Sequence, residues 1–187
     1  MSPDVPVSLP AEDPILILPG RGDSDADHWQ SRWQAQLANA HRVQQHEWQR
    51  PERADWQARL EGAVARFGPR CVLVAHSLGC LLTVHWAAVT QLTARGALLV
   101  GVPNPDRPSF PQEITGFSPL PMRPLPFPSI LVASDDDPYG TLEFSRQCAA
   151  AWGSRLVELG AAGHINSASG YGAWPEGLRL LGQLTGR

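Results

Sequence analysis

Three apolar segments of this sequence are each followed by a residue type that can take part in acyl transfer. The segment from Val72 to Ala75 runs directly into His76-Ser77-Leu78-Gly79. The segment from Ser129 to Ala133 is followed closely by three aspartates, and the segment from Arg155 to Leu159 by a loop that contains His164. A serine hydroxyl becomes a nucleophile when an imidazole accepts its proton and a carboxylate orients that imidazole.

Ser77 lies between a run typical of a buried strand and a run typical of a helix. A strand, a sharp turn and a helix form a nucleophile elbow, which needs small residues two positions before and two after the serine. These positions hold Ala75 and Gly79; the usual pattern has glycine at the first, so Ala75 adds one methyl group. Taken alone, the string is as compatible with a serine that merely caps a buried helix.

His164 is the predicted general base among the six histidines. It follows the last apolar segment in a Gly-Ala-Ala-Gly-His-Ile-Asn loop, whose small residues allow close packing against another group. The other histidines are predicted to have structural or surface positions: His28, His41 and His85 in or beside helices, His46 in a loop, and His76 as support beside the serine.

Asp137 is the predicted acid. It is preferred to Asp135 and Asp136, which are interpreted as a solvated turn, because it directly precedes Pro138 at the end of a predicted strand. The chain order Ser77, aspartate, His164 is the order found in α/β-hydrolases.

Two backbone N–H groups are predicted to form an oxyanion hole. The residue after the nucleophile supplies one such donor in an elbow, which here is Leu78. The other is expected from Arg21, because Pro19-Gly20-Arg21-Gly22 follows an early strand and contains glycines that allow close backbone approach.

Alternating strands and helices position these residues. Residues 1–187 are predicted to form a single α/β domain, a compact three-layer structure with a mostly parallel sheet of about six strands and helices on both faces. Residues 1–13 are interpreted as a leader, and residues 101–128, which include nine prolines, as a long loop that is a possible lid. The six strands are predicted at Ile15 to Leu18, Arg42 to Gln45, Val72 to Ala75, Gly96 to Val100, Ser129 to Ala133 and Arg155 to Leu159. Ligands bind at the carboxyl ends of such strands.

Composition narrows the possible partners. The chain has a net charge of -3 with no basic run and no apolar stretch of membrane-spanning length, so neither nucleic acid nor a membrane is an expected partner. The N-terminus lacks a signal-peptide pattern, which predicts a cytoplasmic protein. Cys71, Cys80 and Cys148 are predicted to be buried free thiols. No cofactor and no metal site are predicted.

Four strings together resemble the small serine hydrolases related to retinoblastoma-binding protein 9. They are Leu18-Pro19-Gly20 followed by His28-Trp29, then His76-Ser77-Leu78-Gly79, then Ser134 through Tyr139, and finally Gly163-His164-Ile165-Asn166. The resemblance implies a compact α/β-hydrolase without a cap domain, with Ser77, Asp137 and His164 as the triad. Ala75 and the proline-rich segment depart from the family pattern. No Leu-x-Cys-x-Glu string surrounds a cysteine, so the partnership with the retinoblastoma protein is not carried over.

The predicted function is hydrolysis of carboxylic esters or related small acyl compounds through an acyl-enzyme intermediate. The alternative is a catalytically weak or inactive hydrolase scaffold that acts as a binding module, with its triad misaligned or covered by the proline-rich loop. Phe117 and Phe127 in that loop suggest a pocket for an apolar acyl group of limited size. Oligomeric state cannot be predicted from these features.

Overall fold

The computed structural model describes residues 13–184 and contains a six-stranded sheet in the order β2-β1-β3-β4-β5-β6. All neighbouring strands are parallel. The strands are β1 (Ile15–Leu18), β2 (Ala40–Arg42), β3 (Val72–His76), β4 (Gly96–Val100), β5 (Ser129–Ala133) and β6 (Arg155–Glu158). The predicted leader lies outside the described residues except for Asp13, whose carboxylate is buried between Arg70 and Arg95.

Five α-helices cover the sheet on both faces. They are α1 (Trp29–Gln36), α2 (Arg53–Phe67), α3 (Leu78–Ala87), α4 (Leu142–Trp152) and α5 (Pro175–Leu184), and a short 3₁₀-helix spans Ser167–Ser169. None of the helices in residues 13–184 is long and apolar enough to cross a membrane.

Alternate residues of each central strand face opposite sides, and this alternation divides the core in two. In β3, Leu73 and Ala75 pack with the apolar residues of α2, α3 and α4. Val72 and Val74 pack on the other face, in a cluster that includes the tryptophans of α1. Because both faces are covered, the central strands read as continuous apolar runs, which is why the sequence revealed them.

Three strands have other bounds than the sequence predicts: β3 extends one residue further, to His76, β6 ends one residue earlier, at Glu158, and β2 is displaced. Strand β2 begins two residues earlier than predicted and is only three residues long, Ala40–Arg42, at the sheet edge. Helix α1 is capped by His28, whose side chain accepts a hydrogen bond from the Gln30 N–H.

The proline-rich segment, residues 101–128, connects β4 to β5 without a helix or a strand of its own. It is anchored at several points along its length. Phe117 and Phe127 are buried in the core, and Thr115 exchanges backbone hydrogen bonds with Arg53 and Pro51. The segment therefore forms a fixed wall beside the carboxyl ends of the strands in this structure.

Candidate active site

Ser77 occupies the sharp turn between β3 and α3. Its backbone has φ 53° and ψ -122°, a conformation that a non-glycine residue adopts only where the surrounding structure enforces it. The turn depends on Gly79, because a Cβ there would lie 2.2 Å from the Leu18 carbonyl oxygen. Ala75 is accommodated: it is fully buried in β3, between Leu18 of β1 and Leu99 of β4.

His164 joins the serine to an aspartate. Its Nε2 lies 2.9 Å from Ser77 Oγ, and its Nδ1 lies 2.9 Å from both carboxylate oxygens of Asp137. Because a carboxylate can only accept, the proton of a neutral His164 is on Nδ1, and Nε2 is free to accept from the serine hydroxyl. The structure thus brings together the three residues that the sequence singled out.

The two neighbouring aspartates are distinguished by burial. The Asp137 side chain is 2% exposed, and one of its oxygens also accepts a hydrogen bond from the Tyr139 N–H. Asp136 is exposed, and its carboxylate accepts from the Ser134 hydroxyl and the Gly163 N–H. These two hydrogen bonds lower the pKa of Asp136, since they favour its charged form, and they tie the aspartate turn to the loop that carries His164.

His76 supports the backbone of His164. Its Nε2 lies 2.8 Å from the His164 carbonyl oxygen, which requires a proton on that nitrogen. Burial lowers the pKa of His76 well below its usual value, so the ring stays neutral. His164 needs such support because the residues on both sides of it, Gly163 and Ile165, have positive φ angles of 56° and 50°.

Gly101 and Tyr139 complete the surroundings of His164, and sequence reasoning did not single out either one. A Cβ on Gly101 would lie 3.4 Å from Asp137 Oδ2 and from the His164 ring. The Tyr139 ring packs edge-on against His164 with centroids 4.4 Å apart. Their positions in the sequence could have indicated them, because Gly101 directly follows β4 and Tyr139 follows the three aspartates after β5.

The two predicted oxyanion donors border the same cleft as Ser77. Leu78 is the first residue of α3, so its N–H lacks an intrahelical acceptor. Within residues 13–184, neither the Leu78 N–H nor the Arg21 N–H has a hydrogen-bond acceptor. Gly20 lies against Ser77, which brings the backbone of the β1 loop close to the nucleophile.

The cleft at this edge of the sheet has a volume of about 310 Å³, at the lower end of the range for small-molecule sites. The proline-rich segment forms its apolar wall through Pro103, Phe110, Pro111 and Ile114. Phe117 and Phe127, on which the expectation of an apolar pocket partly rests, do not border the cleft. Both are core residues, packed near Trp56 and Trp86 respectively.

The cysteines offer no competing nucleophile. All three are buried free thiols, as predicted. Burial raises the pKa of Cys71 to about 11 and that of Cys148 to about 12, and it raises the pKa of Cys80 further. A thiol in such surroundings stays protonated and inert. The described residues contain no group of three or more His, Cys, Asp or Glu side chains that could hold a metal ion.

The parallel sheet, the strand-turn-helix around Ser77 and the cleft at the strand ends define an α/β-hydrolase fold. A family model described as "Serine hydrolase" matches residues 15–183. The chain therefore belongs to the serine hydrolase family and is an enzyme. This confirms the family resemblance seen in the sequence, although no relation to retinoblastoma-binding protein 9 itself is shown.

Solved structures agree with this assignment. A YdeN-like hydrolase from Pectobacterium atrosepticum is 30% identical, with a TM-score of 0.83 over 93% of this chain and 91% of that chain. The ydeN gene product from B. subtilis is 21% identical, with a TM-score of 0.76 over 94% and 100% of the two chains. Esterase 2 of Thermogutta terrifontis, phosphonylated by cyclosarin, is 18% identical, with a TM-score of 0.69 over 94% and 84%. The last two likenesses concern the fold alone. A comparison with curated proteins finds no match.

Proposed function

We propose that this serine hydrolase cleaves carboxylic esters or related acyl compounds, with Ser77 as nucleophile, His164 as general base and acid, and Asp137 as the residue that orients the imidazole. The observation that carries the proposal is the continuous chain of 2.9 Å contacts from Ser77 Oγ through the His164 ring to Asp137. Ser77 and His164 border the cleft, so a substrate can reach the nucleophile.

In the first half of the reaction, Ser77 Oγ attacks the acyl carbon while His164 Nε2 takes the hydroxyl proton. The bond to the leaving oxygen then breaks, and His164 passes the proton to that oxygen. In the second half, a water molecule attacks the acyl-enzyme, and His164 serves in the same two roles. Asp137 keeps the Nδ1–H tautomer throughout and stabilises the transient imidazolium.

The backbone N–H groups of Leu78 and Arg21 are proposed to stabilise the oxyanion that forms in each half-reaction. Both N–H groups border the cleft and have no acceptor among residues 13–184, so they are free to donate to a substrate oxygen, which supports this role. Removal of one donor of this kind from a hydrolase costs roughly 3 kcal/mol of transition-state stabilisation.

The substrate class is inferred from the cleft wall. Phe110, Pro111 and Ile114 form an apolar surface beside Ser77, and the volume of about 310 Å³ suits a short acyl group. Two structural neighbours carry names that fit this chemistry: the Thermogutta terrifontis protein is an esterase, and RedJ of Streptomyces coelicolor is a thioesterase.

A fluorophosphonate probe tests the assignment, since it reacts covalently with an activated serine. We expect the native protein to be labelled, and Ser77→Ala and His164→Ala to abolish labelling. His85→Ala is the control, because His85 is a buried histidine that contacts the Phe117 carbonyl away from the cleft. A native protein that is folded but unlabelled would support the binding-scaffold alternative. A panel of p-nitrophenyl esters of rising chain length then measures the preferred acyl size.

A further inference from the structure

The two acidic residues that border the cleft are already bound to donors of the protein. Asp23 pairs with Arg42 at 2.6 Å and also accepts from the Ser24 N–H. Asp25 accepts from the backbone N–H groups of Asp27 and His28 through one oxygen and from the Ser167 hydroxyl through the other. Their carboxylates therefore hold the loops around the cleft together.

The two arginines that border the cleft have no acidic partner among residues 13–184. Arg21 donates from Nε to the Gln49 carbonyl, outside the cleft. Arg107 donates from Nη1 to the Pro138 carbonyl, and its Nε is buried without an acceptor in the described part of the chain. The Nη2 amino group of Arg107 is consequently the part of this guanidinium that remains available to a ligand.

The position of Arg107 relative to His164 indicates which part of a substrate it would meet. Its guanidinium carbon lies 5.1 Å from the centroid of the Tyr139 ring, and that ring lies 4.4 Å from the His164 ring. Arg107 thus sits on the His164 side of the cleft. His164 must reach the leaving oxygen to protonate it, so the leaving group occupies this side.

We propose that Arg107 binds a carboxylate on the leaving group, so that the preferred substrates are acyl esters of short hydroxy acids. This inference rests on the proposed function. Ser77 Oγ forms a bond to the acyl carbon, the ester bond to the leaving oxygen breaks, and the proton of Ser77 passes through His164 to that oxygen. The first product is a free hydroxy acid, and the acyl group remains on the enzyme until water releases it.

A carboxylate fits better than a phosphate dianion. Only one guanidinium is available on the His164 side, and it offers one free amino group. The carboxylate of Asp25 borders the same cleft and would repel a second negative charge. Arg107 is also held in place by the Tyr139 ring and the Pro138 carbonyl, so little side-chain freedom is lost when a ligand binds.

Two butanoyl esters of almost the same size test the proposal: the ester of glycolate, which is negatively charged, and the ester of glycolamide, which is neutral. Both give the same acyl-enzyme, so the ratio of their kcat/KM values reports recognition of the leaving group. We expect the wild type to prefer the glycolate ester by roughly tenfold or more, because hydrogen bonds to charged groups are the stronger ones. The preference should shrink as ionic strength rises.

Variants of Arg107 distinguish binding of the substrate carboxylate from a purely structural role of this residue. Arg107→Gln removes the charge, so the ratio should fall to about one. Arg107→Lys keeps the charge, so the ratio should be partly retained. Arg107→Glu reverses the charge, so the ratio should invert. Arg123→Gln is the matched control: Arg123 belongs to the same proline-rich segment and donates to a backbone carbonyl, that of Ala88, outside the cleft. It should leave the ratio and both rates as in the wild type.

The carboxylate proposal and the esterase proposal fail on different results. If the wild type cleaves both esters with equal kcat/KM, or if Arg107→Gln slows both by the same factor, the carboxylate proposal is wrong while the esterase proposal stands. If neither ester is cleaved and the fluorophosphonate probe does not label Ser77, the esterase proposal itself is wrong. A ratio that collapses in Arg107→Gln and persists in Arg123→Gln supports the assignment.

Discussion

Gly20 and Ser77 are in direct contact at the carboxyl ends of β1 and β3. A Cβ placed on Gly20 would lie 2.9 Å from the Cβ of Ser77 and 3.3 Å from its Oγ. Gly20 does not have a positive φ, so its backbone conformation would accept another residue. The requirement for glycine here comes from the space that the nucleophile occupies.

Replacement of Gly20 by alanine should therefore damage the site more than the fold. We expect the added methyl to displace Ser77 or the loop after β1, with a loss of about 100-fold in the rate of fluorophosphonate labelling, because misplacement by about 1 Å can cost this much. Gly62→Ala is the control: Gly62 is in α2 with nothing within 4 Å of a new Cβ. It should keep full labelling and gain about 0.5 to 1 kcal/mol of stability from its higher helix propensity. Normal labelling of a folded Gly20→Ala protein would contradict the expectation.

The sheet and the placement of the site residues could be predicted because their signals are local. Buried parallel strands are short apolar runs, and Gly96–Val100 and Ser129–Ala133 have the bounds that the sequence indicated. The ends of parallel strands share one edge of the sheet, so residues that follow different strands can meet. This rule places Ser77, Asp137 and His164 together without any knowledge of side-chain geometry.

The cleft wall, the edge strand β2 and the packing around His164 could not be predicted, because they depend on contacts between segments that no local sequence pattern encodes. The proline-rich segment has no hydrophobic period, so nothing in the sequence distinguishes Phe110, which borders the cleft, from Phe117, which is in the core. Strand β2 pairs on one side only and is short, which makes its apolar signal weak. The packing of Tyr139 between Arg107 and His164 joins segments that are far apart in the chain.

His76 offers a test of how the loop that carries His164 is held. His76→Leu removes the donor to the His164 carbonyl and leaves that oxygen without a partner. We expect a loss of about 1 to 3 kcal/mol of stability and a decrease of about tenfold to 100-fold in labelling rate, since His164 loses its fixed position.

His85→Leu is the matched variant for this test. His85 is also a buried histidine whose Nε2 contacts a backbone carbonyl at 2.9 Å, but that carbonyl belongs to Phe117. The stability of His85→Leu should fall by an amount similar to that of His76→Leu, while labelling of the folded protein stays near the wild-type rate. Equal labelling rates in the two variants would show that His76 has no special part in positioning His164. Denaturant unfolding and labelling time courses supply both measurements.

The aspartate turn allows a direct comparison between neighbouring carboxylates. Both carboxylate oxygens of Asp137 face the His164 Nδ1. In Asp137→Asn an amide NH2 group, which is a hydrogen-bond donor, replaces one of these oxygens. The amide favours the wrong imidazole tautomer, with the proton on Nε2, and we expect ester hydrolysis to fall by about 10⁴-fold in kcat. Asp136→Asn keeps an oxygen that can accept from Ser134 and Gly163, so its activity should change little. The assignment of Asp137 as the acid fails if the two variants retain equal activity.

Acidification should destabilise the protein through His28, whose side chain caps α1. Burial lowers the pKa of His28 to about 4, whereas an unfolded histidine has a pKa near 6.5. Below 6.5 the unfolded chain takes up a proton that the folded protein does not accept until about pH 4. The contribution of His28 is therefore complete above pH 6.5 and is lost progressively as the pH falls toward 4.

His28→Asn isolates this effect, because asparagine is also a good helix cap but does not titrate. Urea unfolding at pH 8 and pH 5 measures how much stability each protein loses on acidification. The loss should be smaller in the variant than in the wild type by about 2 kcal/mol, which corresponds to one proton over the 1.5 pH units below 6.5. His85, whose pKa is also lowered by burial, contacts the Phe117 carbonyl and not His28, so its contribution is the same in both proteins and cancels in the comparison. The same loss in wild type and variant would mean that His28 accepts a proton in the folded state near its ordinary pKa.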